Sequence, residues 1–350
     1  MENMPTRTTP PLLMVAGAFA TVYLIWGSTY LAIRFAVETL PPFLMAGVRF
    51  LLAGILLYAV MRARDCSRPT LGNWKAAGVV GTLLLFGGNG LVCWAEQHVP
   101  SGLAALLIAT VPLWMVLFDW LLHRGTKPTW RIVAGLVVGL IGVAILLGPS
   151  GLGGSDVHLY GALALLSACV FWSIGSLYSR KAELPNSPFL ATAMEMLAGG
   201  AVLLLVGTLA GEWSRVDFDA ISTKSILSLA YLCVFGSIFA LTAYTWLLRV
   251  TTPAKVSTYA YVNPVVAMGL GYVLANEPLS PRVLVAATVI LGAVVLITTT
   301  KQRQTPSPST ESHSNAPTDN ACASEHRNRK STREPPEDHE PCLSGSCEGI

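Results

Sequence analysis

An all-α integral membrane protein is expected here: ten transmembrane helices arranged as two inverted five-helix repeats, with the N- and C-termini both cytoplasmic. Three observations lead to it. The 350 residues are 53% hydrophobic and only 12% charged, against about 25% charge in soluble domains. The apolar residues gather into ten runs, each close to the roughly 20 residues that carry a helix across a bilayer. Finally, the second half of the chain repeats the first.

The runs cover 12–34, 42–61, 76–95, 101–122, 131–149, 159–179, 188–210, 226–248, 253–275 and 281–299. None alternates with period two, which argues against a β-barrel. The first is not a cleaved signal peptide: Arg7 is the only base ahead of it, and it outruns an ordinary signal-peptide core. Orientation follows from the bases in the connections. With the N-terminus inside, the cytoplasmic segments hold 14 Lys/Arg and the external ones hold four: Arg34, Arg215, Lys224 and Arg282. The expected location is the plasma membrane, multi-pass.

Charge separates the body from its tail. Residues 1–300 hold 17 Lys/Arg and 12 Asp/Glu, and the last 50 residues hold 14 charges at more than twice that density. Residues 301–350 lack Phe, Trp, Tyr, Val and Met. Such a segment cannot bury enough apolar surface to offset its ordering entropy, so a disordered cytoplasmic tail is expected.

The repeat is visible at an offset of 146, where PFLMAGVRFLLAG (42–54) faces PFLATAMEMLAGG (188–200). The same offset aligns Trp26 with Trp172 and Arg34 with Arg180, and an offset of 152 aligns Trp94 with Trp246 and Pro112 with Pro264. The units are 12–149 and 159–299. Five is odd, so the second copy starts on the side opposite to the first. The copies are therefore related by a twofold axis in the membrane plane, an architecture recurrent in secondary transporters.

Trp26-Gly27-Ser28-Thr29-Tyr30 with Arg34, Pro42 with Arg49, the paired Pro112 and Pro264, and Glu277-Pro278-Leu279 resemble the EamA family of the drug/metabolite transporter superfamily over residues 12–300. The resemblance implies transport of small organic solutes, commonly export of amino acids, related metabolites or drugs, from the plasma membrane. It departs at one place. Family repeats often carry a Glu after the fourth helix; Glu277 fills that place in the second copy, but Gly125 stands opposite it in the first. A flippase for lipid-linked substrates is the alternative within the superfamily, and a membrane scaffold acting through the tail the alternative outside transport.

Candidate transport residues follow from the cost of polar groups in lipid. Arg49 and Glu195 are intramembrane charges at equivalent repeat positions. Either they serve substrate and proton, or they pair internally to fix packing. Glu96, after Trp94 at the end of the third run, is either a coupling site or a solvated helix end. Trp26 and Tyr30 share a helix face, and Trp172 falls on the matching face of the sixth run. Tyr244, Tyr261 and Asn263 add polar aromatics and an amide to the second copy, and Asn89 stands among three glycines in 86–90. Pro112 and Pro264 are expected to kink their helices. Gly135-x-x-x-Gly139 suits close packing between the halves or between subunits, so a homodimer joins a small-molecule substrate and membrane lipid among the expected partners.

Enzymatic and nucleic-acid functions find no support. The sequence has no HExxH and no Walker A motif, so no cofactor or metal is expected and ATP is not the direct energy source. The basic excess reflects topology rather than nucleic-acid binding. The seven cysteines show no zinc spacing.

Overall fold

The computed structural model describes residues 11–64, 68–123, 130–147, 159–277 and 279–299, and these are helices joined by short turns. The tail and the 150–158 connection lie outside the described residues. The ten helices are α1 (Leu12–Ala36), α2 (Pro42–Ala63), α3 (Leu71–Ala95), α4 (Ser101–Ile108 and Val111–His123), α5 (Trp130–Leu147), α6 (Leu159–Ser179), α7 (Pro188–Leu209), α8 (Thr223–Val250), α9 (Tyr259–Ala275) and α10 (Pro281–Thr299). Seven of these segments have 21–28 residues and a mean hydropathy of 1.6–2.1, long enough at 1.5 Å per residue for the roughly 30 Å hydrocarbon core.

Local chemistry sets the starts. Pro42 and Pro188 occupy the first helical position of α2 and α7, where the missing N–H costs nothing. Thr70 and Asn73 form a reciprocal capping box that begins α3 five residues earlier than its apolar run suggests. Ser222 caps α8 through the N–H of Ser225. In both cases polar capping residues extend a helix past the end of its apolar stretch.

Two departures from regular helix were not expected in this form. The glycine cluster around Asn89 falls within a π-helical stretch, Thr82–Gly90, and α8 carries a matching one over Leu232–Leu241. Gly87, Gly88 and Gly90 mark the stretch in α3, where they weaken the helix; its counterpart has only Gly236. The prolines also differ in effect. Pro112 follows a break at Ala109–Thr110, whereas Pro264 sits inside the continuous α9, whose interruption lies earlier, at Ser257–Thr258.

The packing shows the twofold relation directly. α2 and α7 cross at their glycines: a Cβ on Gly54 would stand 3.0 Å from the Leu197 nitrogen, and one on Gly200 would stand 3.0 Å from the Leu51 nitrogen. Gly54 corresponds to Gly200 and Leu51 to Leu197, so this is one contact seen twice, as a twofold axis requires. α5 also pairs with α10, and Gly139 lies against Leu113 of α4 and Ala293 of α10. The GxxxG segment thus packs between the halves of one chain. α1 packs on α8 and α9, and α6 on α3 and α4. Each repeat's first helix therefore packs against the other repeat, which leaves the molecular centre lined by both.

Candidate functional site

Two cavities lie along the middle of the bundle. The inner one, about 60 Å³, holds roughly four water-sized spheres. Its wall includes Trp26, Thr29 and Tyr30 of α1, Arg49 and Phe50 of α2, Asn89 of α3, Trp172 of α6, Gly236 of α8 and Tyr259 of α9.

Aromatic rings close one side. Trp26 and Trp172, equivalent in the two repeats, meet edge to face with centroids 5.4 Å apart and planes at 80°. Tyr244 stands 4.9 Å from Trp26 and 5.3 Å from Trp172, and Tyr259 lies 5.3 Å from Trp26. Each polar edge is satisfied by the opposite repeat or by a neighbour. The Trp172 indole N–H donates to the Tyr244 hydroxyl at 2.9 Å, which also shares a 2.7 Å bond with Ser176. The Trp26 indole N–H donates to the Gly236 carbonyl at 3.3 Å, inside the α8 π stretch. Tyr244 is fully buried behind the two indoles.

Arg49 supplies the charge. Its side chain is 2% exposed. Nε donates to the Ser237 hydroxyl at 2.8 Å, Nη1 to the Asn89 amide oxygen at 3.4 Å, and the guanidinium lies 4.6 Å from the centroid of the Phe50 ring. Ser237 accepts that bond while donating its own hydrogen to the Leu232 carbonyl at 3.1 Å. Among the described residues no carboxylate lies within ion-pair distance of Arg49. A buried cation held only by neutral dipoles is a strong anion receptor, because an entering anion replaces missing compensation rather than an existing partner.

Other candidates lie elsewhere. Glu195 is 2% exposed on α7, its carbonyl against Gly81 of α3, and does not line the inner cavity; Oε2 has no hydrogen-bond partner. The structure therefore does not gather Arg49 and Glu195 at one wall. Asn263 is buried at the α1–α9 contact. With its amide oriented to satisfy both partners, its nitrogen donates to the carbonyls of Tyr259 (3.2 Å) and Tyr23 (3.1 Å). Trp94 is half-buried with His98 edge-on at 5.1 Å. The Tyr261 side chain lies outside the described residues.

The outer cavity, about 770 Å³, opens between the ends of α1, α3 and α9 and the starts of α4 and α10. Arg34, Glu38, His98, Lys224 and Glu277 line it. Lys224 pairs with Glu38 and lies 4.5 Å from the Phe35 centroid, tying α8 to the end of α1. Glu277 caps α4, accepting from the Ser101 N–H and hydroxyl, both at 2.8 Å, and from the Gly102 N–H at 3.0 Å. Here the family's acidic position is a helix cap. Gly125, its opposite number, lies outside the described residues.

Glu96 sits just past α3. It is 0% exposed, not the solvated helix end that its position in the sequence allows. Its backbone carbonyl accepts from Arg34 Nη1 at 2.7 Å, while neither carboxyl oxygen has a hydrogen-bond partner. Burial pushes this carboxyl well above the ordinary carboxylate range. Glu277 adds to the shift, and Arg34 and Arg49 oppose it.

Sequence reading missed Ser237 and Phe50 as parts of the Arg49 wall, and Glu212 as a buried cap on α2 through the N–H groups of Phe43 (3.3 Å) and Leu44 (2.8 Å). The available signal for Ser237 was its position beside Gly236, the counterpart of Gly90 at the offset of 146. Glu212 was legible only as an acid in a connection.

Comparisons with known proteins agree with this architecture. The profile of the EamA-like transporter family matches residues 13–148 and 159–299. The chain is 44% identical over 290 residues to the uncharacterized inner membrane transporter YedA of Escherichia coli K12, covering 82% of this chain and 91% of that protein. It is 25% identical over 304 residues to the uncharacterized transporter YvbV of Bacillus subtilis, covering 87% and 96% respectively. It is also 27% identical over 266 residues to the protein PagO of Salmonella typhimurium, covering 74% and 86%. A crystal structure superposes with a TM-score of 0.59 at 25% identity over 81% of this chain and 95% of its own. Ten helices in two repeats, matched by the family across both halves, make this chain a member of the EamA-like transporter family and a multi-pass inner-membrane transporter of the drug/metabolite transporter superfamily.

Proposed function

We propose that this chain is a secondary carrier that exports small organic metabolites, amino acids or drugs by alternating access, and that its substrates carry a carboxylate or similar anionic group beside a compact apolar part. Arg49 is the observation that supports this reading: a buried guanidinium with no anionic partner among the described residues, facing paired indoles across one cavity. The anion would take the guanidinium, and the apolar part would lie against Trp26, Trp172 and Tyr259, whose ring faces suit apolar and cationic groups. At about 60 Å³ the cavity is contracted, so the substrate-loaded state requires the rings to part. Inverted repeats supply the motion, since exchanging the conformations of the two halves reverses the side on which the cavity opens.

The test is counterflow in proteoliposomes with labelled aromatic, aliphatic and acidic amino acids and related organic acids, with and without a pH gradient. Exchange of at least one carboxylate-bearing compound is expected. Arg49→Gln should abolish exchange of that compound, and Arg49→Lys should restore part of it by returning the charge without the fork. Unchanged exchange in Arg49→Gln would defeat the assignment.

A further inference from the structure

The two cavities approach each other along α1: Tyr30 and Ile33 border the inner one and Arg34 and Phe35 the outer one. α3 and its extension do the same with Val92 and Gln97, and α4 with Ile108 and Leu103. Glu96 belongs to this partition. Its carboxyl is fully buried, and both oxygens lack a hydrogen-bond partner. An ionised carboxylate left so would be far out of balance, whereas a protonated one is tolerable. An ionised one would need a cation, and Arg34 already touches this residue's backbone.

We propose that Glu96 is a proton-binding site in the partition between the two cavities, filled from the outer cavity and emptied toward the inner one, and that it couples transport to the proton gradient. The proposal rests on the carrier reading for its coupling role. In the closed partition Glu96 holds the proton as a neutral acid. When the inner cavity turns toward the cytoplasm, the O–H bond breaks, the proton passes to water there, and the carboxylate takes Arg34 as counter-ion. Once the molecule has returned to the outward-facing arrangement, a new proton arrives from water in the outer cavity, the O–H bond forms again and Arg34 is released. One proton enters per cycle, and nothing else is consumed.

The groups that bear on Glu96 are few. Tyr30 and Arg34 face it from α1, with Tyr30 also facing Cys169 of α6; Arg49 acts from α2, Glu277 from the α9–α10 connection, and Cys93 and His98 flank it on its own segment. Burial and Glu277 favour the neutral form, while Arg34 and Arg49 favour the ionised one. The balance of two acids against two guanidiniums makes its protonation responsive to which cavity is open. Glu195 is the rival acid; neither carboxyl lines a cavity, but Glu96 stands between Val92 of the inner wall and Gln97 of the outer one, whereas no residue within three positions of Glu195 on α7 borders either cavity.

The experiment has two arms on the full chain in phosphatidylethanolamine–phosphatidylglycerol vesicles. Infrared difference spectra on alkaline titration should show loss of a carboxylic acid band. That band should be missing in Glu96→Gln, retained in Glu195→Gln, and displaced in its titration in Glu96→Asp, the variant to use if the amide fails to fold. With an amino acid that the wild type exchanges, Glu96→Gln should lose stimulation by a pH gradient, so that the ratio of gradient-driven accumulation to counterflow collapses. A band unaltered in Glu96→Gln, or gradient stimulation kept in that variant, overturns the proposal. If the wild type exchanges no labelled compound while the band depends on Glu96, the carrier reading fails and the proton site stands.

Discussion

Arg49 and Glu96 are both buried ionisable groups without a partner of opposite sign at bonding distance among the described residues, yet their environments ask for opposite things. Arg49 keeps its charge because Ser237 and Asn89 accept its hydrogens, and a guanidinium does not give up its proton. Glu96 has no donor at its carboxyl oxygens, so it satisfies burial by holding a proton. This sets the sign of a pH effect. The folded chain holds its Glu96 proton to a pH well above that of an unfolded Glu, near 4.3. In the intervening window the native state binds more protons than the unfolded one, so stability falls as pH rises. The stabilising contribution is complete below the unfolded value and is lost as pH climbs toward the folded one. Melting of the wild type in detergent should therefore weaken from mildly acidic to alkaline pH, and Glu96→Gln should flatten that slope. A slope equally steep in the amide variant would assign it to another group. Sequence alone marked both residues as candidates but could not separate them, because run length fixes how far a residue lies from a helix end and says nothing of what packs over that end.

Helix identity was legible because lipid demands a continuous apolar run, and Pro42 and Pro188 mark two starts in equivalent places. What escaped were features decided between helices: the π stretch of α8, the displaced break before α9, and the separation of Arg49 from Glu195. The α2–α7 crossing is the element where pattern and structure meet most directly, since the repeated glycines are the residues in contact. Its reciprocity makes a quantitative demand. Gly54→Val and Gly200→Val insert the same bulk at symmetry-related points, and overpacking of a tight contact costs about 1–3 kcal/mol. Both should lower the apparent melting midpoint in detergent by similar amounts, with the double variant failing to assemble. A large loss in one and none in the other would show that the crossing is not twofold. The Glu212 cap allows a smaller test at the same scale. Glu212→Ala removes acceptors from the Phe43 and Leu44 N–H groups and should cost about 1–2 kcal/mol, read as a fall in the same midpoint.

At the scale of the whole molecule, each repeat's first helix packs on the other repeat, so neither five-helix unit can rearrange without moving the wall of the shared cavity. Coupling between the halves is thus built into connectivity. What packing does not set is which face of the bundle meets the cytoplasm; the two copies are inverted, and the fold reads nearly alike from either side. Charge breaks that symmetry in the sequence, with 14 bases on the side assigned to the termini and four on the other, and the positive-inside rule then predicts the basic side inside. The 150–158 connection is the most informative point, because it joins the two copies and its side determines the sense of both. Alkaline phosphatase fused there should be active and a cytoplasmic reporter such as green fluorescent protein dark, with the reverse result for fusions in the 180–187 connection, which carries Arg180 and Lys181. An inactive phosphatase at 150–158 would turn the molecule over, put the outer cavity and Glu96 on the cytoplasmic side, and require the proton to move with the opposite polarity. Orientation, assigned from bases that touch neither cavity, therefore decides whether the same buried acid would drive export or uptake.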